Sequence, residues 1–225
     1  MPDTMRPTDF TATGEPRPAK PARPRDASTL LLWRRSSAGL EVLMGVRSAK
    51  HRFMPSRLVF PGGRVDAEDS KAPVASELHP HTRYALEVRA TPRLAQAIAV
   101  AAIRELEEET GLLLGRMEAG RLHADLAPLR YLCRALTPPM SPVRFNARFL
   151  IAPAETVTGS LGGTGELEHL AFYRVDETPP HELAPITAKV LGEFRELMEM
   201  PEGERERRPL IWYQGRDTRR LERHK

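Results

Sequence analysis

Residues 104–112 read RELEEETGL, a run of acidic residues that follows an apolar stretch of the chain. On a helix, Glu105, Glu108 and Glu109 share one face, because their spacing is i, i+3 and i+4. Like charges at this spacing destabilise a helix by roughly a few tenths of a kcal/mol per pair unless a cation lies between them. Hard divalent cations such as Mg²⁺ and Mn²⁺ prefer carboxylate oxygens, so the run predicts a metal site rather than a solvated acidic surface.

The residues around this run predict a buried helix. Upstream, the sequence RLAQAIAVAAI (93–103) is apolar on nearly every side, which indicates burial. Gly111 is a typical helix stop, and Leu112 begins a new apolar run. We therefore predict a helix over about 93–110 whose last turns carry the acids into the interior of the fold.

The composition excludes several classes of protein. The 225 residues suit one domain with tails, or two small domains, and 40% of them are hydrophobic. No apolar run approaches the roughly 18 residues that span a bilayer, and the N-terminus lacks a secretory pattern, so we expect a cytoplasmic protein without membrane attachment. Cys133 is the only cysteine, which excludes an intrachain disulfide and a cysteine-rich zinc site. The net charge of +4 lies partly in the tails and predicts no specific nucleic-acid partner.

The chain divides into an arm, a domain and a tail. Residues 1–26 are rich in proline and predict a disordered arm, residues 27–200 a folded domain, and residues 201–225 a charged tail. Within the domain, residues 66–92 are irregular with short helical turns, and residues 181–200 have helical periodicity. Apolar and alternating stretches predict strands over 28–34, 40–47, 57–64, 121–136, 144–152 and 166–175. This mixture favours an α+β class or a three-layer α/β/α sandwich.

The acidic run and an upstream glycine pair resemble the box of the Nudix hydrolase family. That box reads Gly, five residues, Glu, seven residues, and then Arg-Glu-U-x-Glu-Glu-x-Gly-U, where U is aliphatic. Residues 104–112 match its second half completely, and FPGGRVDAED (60–69) matches its beginning through Gly62 and Gly63. The resemblance implies a Nudix sandwich with a central mixed β-sheet over roughly 27–200.

The spacing inside this box departs from the family. The box leaves 13 residues between its Gly and its Arg, whereas residues 64–103 number 40, so 27 residues are additional. Counted back from Arg104, the first acid of the box falls on Gln96. Either that acid is absent, or an acid of the preceding loop replaces it, with Asp66, Glu68 and Asp69 as the candidates.

The resemblance assigns roles to the matched residues. Glu105, Glu108 and Glu109 hold Mg²⁺ or Mn²⁺, and Arg104 pairs with a box carboxylate and orients it. A metal held in this way bridges a diphosphate and lowers the pKa of an attacking water. The resemblance therefore implies a pyrophosphohydrolase that acts on acid anhydrides.

Two further parts of the site lie outside the acidic run. Gly62 and Gly63 let the backbone turn close to the metal, and the Gly62 carbonyl is a candidate ligand, although a plain hairpin turn is the alternative. In this family the general base often comes from a Glu outside the box. Glu166, or else Glu168, follows a glycine-rich loop in a fitting place, although either residue alone reads as a surface residue.

The residues before the glycine pair resemble a motif of coenzyme A-directed Nudix enzymes. The stretch LMGVRSAKHRFMPSRLVFPGG (43–63) matches it in part and departs at Ser56 and Leu58. The additional residues in the box and TPPMSPVRFNARFLIA (137–152) resemble the peroxisomal CoA diphosphatase branch. The predicted substrate is therefore CoA or acyl-CoA, cleaved to 3′,5′-ADP and (acyl-)4′-phosphopantetheine.

Several alternatives stay open at this point. Arg47 and Arg52 suit the phosphates of CoA, or else they are solvated or structural loop residues. Another nucleoside diphosphate derivative, such as ADP-ribose, NADH or a dinucleotide polyphosphate, is the nearest rival substrate. A Nudix-fold sensor that binds a nucleotide without cleaving it is a second class, which the complete glutamate set argues against. An RNA-binding protein is a third, suggested only by the arginine-rich tails. A homodimer is a family-level expectation.

Overall fold

The computed structural model describes residues 22–48, 56–141, 143–162, 164–215 and 218–222. The predicted arm therefore lies outside the described residues up to position 21, and its last two positions already belong to the first strand. In chain order, the strands and helices are β1 Arg25–Ser36, β2 Gly39–Arg47, β3 Leu58–Val59, β4 Gly62–Arg64, β5 Val74–Ser76, α1 Pro80–Glu87, α2 Pro92–Thr110, β6 Leu112–Leu113, β7 Gly115–Glu118, β8 Arg121–Asp125, β9 Arg130–Leu136, β10 Phe145–Pro153, β11 Thr158–Gly159, β12 Leu167–Arg174, α3 Pro185–Glu199, β13 Ile211–Gln214 and β14 Thr218–Leu221.

A mixed sheet of nine strands forms the centre of the fold. Its order is β12-β2-β1-β10-β9-β13-β14, with β3 beside β2 and β4 beside β1. The pairs β1–β10 and β9–β13 are parallel, and the other pairs are antiparallel. The mixed central sheet predicted from the sequence is therefore present.

The two faces of this sheet are covered by different helices. Successive side chains of a strand point to opposite faces. In β1, Leu30 packs in one apolar cluster with Ile98 of α2, whereas Leu31 packs in a second cluster with Phe194 of α3. The three layers α2, sheet and α3 make the predicted α/β/α sandwich, and the core is divided between the two interfaces.

Local sequence explains where α2 begins and ends. The Thr91 side chain accepts a hydrogen bond from the Leu94 N–H at 3.3 Å, and Pro92 occupies the first turn, where a missing N–H has no cost. At the other end Gly111 has φ 73°, the left-handed conformation that glycine adopts without strain. The helix thus spans one residue more than predicted, and its last two turns carry Glu105, Glu108 and Glu109. No helix in the described ranges is both long and apolar enough to cross a membrane.

Residues 66–92 are more ordered than the sequence suggested. They contain a 3-10 turn over Glu68–Lys71, the strand β5 and the helix α1. Strand β5 pairs with β8, which pairs with β7, in a small second sheet. The hydroxyl of Thr82 in α1 donates to the Leu129 carbonyl at 2.9 Å, which ties this segment to the start of β9.

The predicted charged tail is in fact part of the sheet. Strand β13 runs parallel to β9, and β14 closes the edge beside it. Buried acids hold this segment in place: Glu193 of α3 accepts hydrogen bonds from Tyr213 and Arg219, and Glu222 accepts from Arg89 and Arg134. Residues 211–214 and 218–221 of the predicted tail thus pair in the sheet, and Arg208 and Arg219 pair with the buried Glu193 of α3.

Candidate active site

The glycine pair lies directly against the acidic end of α2. Strand β4 pairs with β1 so that Gly63 is opposite Ser28. The Gly62 N–H donates a hydrogen bond of 2.8 Å to the Glu109 carboxylate. A Cβ at position 63 would overlap the carboxylate of Glu105, so only glycine allows this close approach. The two halves of the acidic motif, distant in sequence, therefore meet at one place in the structure.

The three glutamates on the shared helix face differ in their exposure to solvent. Glu109 is only 2% exposed, the Glu105 side chain is 14% exposed, and the Glu108 side chain is 48% exposed. Burial raises the pKa of Glu109 to about 8, against the opposing effects of the Gly62 N–H and the Arg47 charge. Burial also raises the pKa of Glu105, against the opposing charge of Arg104. Glu105 and Glu109 are thus shielded from water, and a bound cation would stabilise their charged forms.

Arg104 is the centre of the ion-pair network beside these glutamates. Its Nε and Nη2 donate to the two carboxylate oxygens of Asp69 at 2.9 and 3.2 Å. Its Nη1 donates to Glu105 at 2.9 Å and to Glu108 at 3.1 Å, and its Nη2 also donates to the Arg64 carbonyl at 3.0 Å. Although burial alone would lower the Arg104 pKa, the hydrogen bonds that Arg104 donates to Asp69 and the charge of Glu105 raise it. Arg104 therefore stays charged and orients the carboxylates around it.

Asp69, not Gln96, supplies the acid that pairs with Arg104. The Asp69 side chain is 3% exposed and also accepts the Asp66 N–H at 2.7 Å. Of the other two loop candidates, Asp66 is 3.8 Å from Arg104 and Glu68 pairs with Lys71. Counted forward from Gly63, Asp69 stands where the family box has its first Glu, so the additional residues follow this acid. Counting from the glycine rather than back from the arginine would have identified it.

The donor set fits a hard divalent cation, although its carboxylates do not converge as they stand. Across the described ranges, no three His, Cys, Asp or Glu side chains meet closely enough to hold a metal. The three glutamates do not converge because Glu105 and Glu108 accept hydrogen bonds from Arg104, whereas Glu109 accepts one from the Gly62 N–H. Three carboxylates on one helix face, two of them desolvated, nevertheless offer the oxygen ligands that Mg²⁺ and Mn²⁺ prefer.

Two of the residues predicted outside the acidic run lie near it. The charge of Glu166 contributes to raising the pKa of both Glu105 and Glu109, and the Arg47 charge acts on Glu109 in the opposite direction. The Ser48 N–H donates to the Glu166 carbonyl at 3.1 Å, which joins the end of β2 to the start of β12. Glu166 and Arg47 therefore lie within electrostatic reach of the buried glutamates.

The remaining predicted residues are not part of this cluster. Glu168 is exposed and lies in β12 opposite Val46 of β2, next to a register shift. Arg52 lies outside the described residues. Of the two candidates for the base, Glu166 is thus the one whose charge acts on the glutamates of α2.

The known proteins that resemble this chain are found by comparing structures, not sequences. No protein-family model matches the chain, and no curated protein matches it significantly. A NUDIX hydrolase from Alicyclobacillus acidocaldarius is 25% identical, with a TM-score of 0.57 over 76% of this chain and 90% of that one. The chain has the Nudix hydrolase fold. The NUDIX domain of Shewanella oneidensis NrtR, whose structure contains ADP ribose, is 13% identical, with a TM-score of 0.51 over 79% of this chain and 90% of that one.

The Nudix fold confirms the predicted α+β sandwich and the predicted enzyme class. Nudix hydrolases are pyrophosphohydrolases that act on acid anhydrides, and they generally need divalent metal ions. The reaction class that this fold supports is accordingly the hydrolysis of a diphosphate linkage in a nucleoside diphosphate derivative.

Proposed function

We propose that the chain is a Nudix pyrophosphohydrolase whose metal, Mg²⁺ or Mn²⁺, is held by Glu105, Glu108 and Glu109. The observation that carries the proposal is the contact of Gly62 and Gly63 with Glu109 and Glu105 at the end of a buried helix. When bound, the metal supplies positive charge for the diphosphate oxygens and for a water of lowered pKa.

Side chains of the protein orient the metal-binding carboxylates and accept the proton of the attacking water. Arg104, held by Asp69, keeps Glu105 and Glu108 oriented on one side of the helix. Glu166 is the proposed general base, because it is exposed and its charge reaches the buried glutamates. A carboxylate in this place can accept a proton from a water that attacks phosphorus.

The proposed substrate is CoA or an acyl-CoA, giving 3′,5′-ADP and (acyl-)4′-phosphopantetheine. Its support is the motif over 43–63, the 27 additional residues in the box, and the sequence of 137–152. Arg47 and Arg52 are the proposed phosphate contacts, and Arg47 lies close enough for its charge to act on Glu109.

ADP-ribose is the second candidate substrate. The specific observation in its favour is that the related NrtR domain contains ADP ribose. A panel of CoA, NADH, ADP-ribose, diadenosine polyphosphates and UDP-glucose, assayed with Mg²⁺ and Mn²⁺, separates the candidates. Cleavage of CoA to 3′,5′-ADP is the expected result, whereas untouched CoA beside a cleaved rival would overturn the substrate assignment. No cleavage of any member would favour a nucleotide sensor instead.

Matched variants of the helix test the metal assignment. We expect Glu108→Gln and Glu109→Gln each to lower turnover by at least about tenfold, since each removes a charged ligand of the metal. Glu107→Gln is the control, because it makes the same change on the same helix outside the shared face. Unchanged turnover in the first two variants, or an equal loss in the control, would refute the assignment.

The base is tested by a second matched pair. Glu166→Gln should lower turnover by about 100-fold, within the range of general base catalysis, whereas Glu168→Gln should leave it nearly unchanged. The reverse order would transfer the role to Glu168. Homodimerisation stays a prediction of the family resemblance, and a cytoplasmic location stays a prediction of the composition; sedimentation velocity of the full chain measures the first.

A further inference from the structure

A cavity lies beside the loop that holds Arg104. Its volume is about 560 Å³, and it is formed by the start of β1, the loop after β4 and the first turns of α2. The charged residues that line it are Arg25, Asp26, Arg64, Asp66 and Arg93, and Ser70 is among its uncharged polar residues. This volume is within the range of roughly 300–1,000 Å³ that is usual for small-molecule sites.

The cavity carries an excess of positive charge. Of its two acids, Asp26 already accepts hydrogen bonds from Arg148 and Asn146, and the only ion pair of Asp66 among the described residues is a long one of 3.8 Å to Arg104, outside the cavity. Among the described residues, no acidic side chain pairs with Arg25 or Arg64. The three cavity arginines, Arg25, Arg64 and Arg93, are therefore left without a carboxylate partner there.

The contacts of Arg93 add to this charge. Its Nη2 donates to the Ser70 hydroxyl at 3.0 Å, a neutral partner that leaves the guanidinium charge uncompensated. Arg93 also lies in the first turn of α2, where the helix dipole favours an anion. The positive charge of the cavity thus comes from arginine side chains and not from the helix end alone.

The cavity and the glutamates share one structural element. Residues 64–70 line the cavity with Arg64, Asp66 and Ser70, and hold Arg104 through Asp69 and the Arg64 carbonyl. On α2, the cavity-lining Ala97 precedes Arg104 by seven residues, two turns, so both lie on the same helix face. The distance along the helix from Ala97 to Glu105 is about 12 Å.

We propose that this cavity binds a phosphate group through the three cavity arginines, at a site separate from the metal-binding glutamates. Arginine matches phosphate geometry with two parallel N–H donors, which is why an arginine cluster without carboxylate partners favours this ligand. The phosphate belongs either to the distant end of a substrate that occupies both sites or to a free phosphate anion. Because it contacts the loop 64–70, the bound phosphate also fixes the segment that orients Arg104.

Binding is measured without turnover, so the outcome does not depend on the proposed reaction. Metal-free full-length protein is heated with increasing inorganic phosphate at constant ionic strength, and the dissociation constant is obtained from the rise in melting temperature. The double variant Arg25→Gln/Arg93→Gln should weaken phosphate binding by about tenfold or more, because it removes two charge-assisted donors. The double variant Arg116→Gln/Arg121→Gln loses the same charge outside the cavity and should bind like the wild type.

Two results would overturn the proposal. The first is no phosphate-dependent rise in the wild-type melting temperature, and the second is equal phosphate affinity in both double variants. Circular dichroism of each variant shows whether it is folded, and Arg25→Lys/Arg93→Lys, which keeps the charge, should retain more affinity than the glutamine pair.

Once phosphate binding is established, kinetics identify its source. This kinetic experiment rests on the proposed function and compares CoA with 3′-dephospho-CoA as substrates. A KM raised in the Arg25→Gln/Arg93→Gln variant for CoA alone assigns the site to the 3′-phosphate of the substrate. A KM unchanged for both substrates, together with lost phosphate affinity, assigns it to a free anion.

Discussion

Replacing Asp69 by asparagine tests whether the loop acid orients Arg104. The substitution keeps the size of the side chain but removes its charge. In the wild type both carboxylate oxygens accept from Arg104, and one of them also accepts the Asp66 N–H. Asparagine has one carbonyl oxygen, which can replace only one of these two oxygens. Its NH₂ group takes the place of the other and then faces an N–H donor, with which it cannot form a hydrogen bond.

The size of the effect follows from the burial of the pair. Removing one partner of a buried ion pair costs about 3–5 kcal/mol when the other charge is left without compensation. Arg104 is 22% exposed and keeps Glu105, Glu108 and the Arg64 carbonyl as partners. We therefore expect a smaller loss, about 2 kcal/mol of unfolding free energy. In a chain of this size that loss lowers the melting temperature by about 4–8 °C.

Asp69→Asn should also lower the turnover of the molecules that remain folded. Without the Asp69 carboxylate, the remaining partners of Arg104 are the Arg64 carbonyl and the two glutamates that it should orient, so it draws these glutamates away from a metal. We expect a loss of about tenfold in turnover at saturating substrate, at a temperature where the variant is fully folded.

Urea unfolding and steady-state kinetics measure the two quantities on three variants. Asp69→Glu keeps the charge but must fit one more methylene into a buried place, so it should retain more turnover than Asp69→Asn. Gln96→Ala changes the position at which backward counting places the acid, and should have nearly wild-type turnover. The reasoning is refuted if Asp69→Asn is as active as the wild type, or if Gln96→Ala loses more activity than Asp69→Asn.

Three other predictions concern the glycine, the buried acid and the cysteine. Gly63→Ala should lower turnover by at least about tenfold, because its methyl overlaps the Glu105 carboxylate; a kinetic assay with wild-type turnover would contradict this. Although burial alone would raise it, the pKa of Glu193 is lowered in the folded state by hydrogen bonds from Arg219 and Tyr213. Its contribution to stability is therefore complete above its unfolded pKa and is lost as the pH falls through its folded value. Thermal melts from pH 6 to pH 3 should show this loss, with a flatter profile in Glu193→Gln. Burial raises the pKa of Cys133, so a thiol reagent should label it only after unfolding, as mass spectrometry with and without urea can show.

The sequence predicted the elements whose signals are local. The helix α2 is marked by a proline at its first turn, an apolar stretch over 93–103 and a closing glycine, and these residues act on their immediate neighbours. The strands of the sheet likewise alternate or are apolar over short stretches. Strand β1 extends beyond the predicted 28–34 at both ends, because pairing with β10 and β2 continues past the apolar residues.

What the sequence did not predict depends on contacts between distant residues. The pairing of Asp69 with Arg104 joins residues 35 positions apart, and the long segment between them conceals the spacing of the box. Strand β14 contains two arginines and is exposed, so its composition indicates solvent rather than a place in the sheet. It nevertheless pairs with β13, and the adjoining Glu222 is buried because it pairs with Arg89 and Arg134, contacts that no local pattern shows.

The ion pair of Asp69 with Arg104 also makes the intervening chain replaceable. Residues 70–103 number 34, whereas the family box has seven at this place, and both ends of the segment meet at one contact. Lengthening a closed loop from seven to 34 residues costs only about 1.4 kcal/mol of chain entropy, which the packing of α1 and β5 can offset. Evolution, or a protein engineer, can therefore exchange the outer part of this segment while the glutamates stay in place. The proposed metal-binding residues and the replaceable segment thus lie in separate parts of one motif.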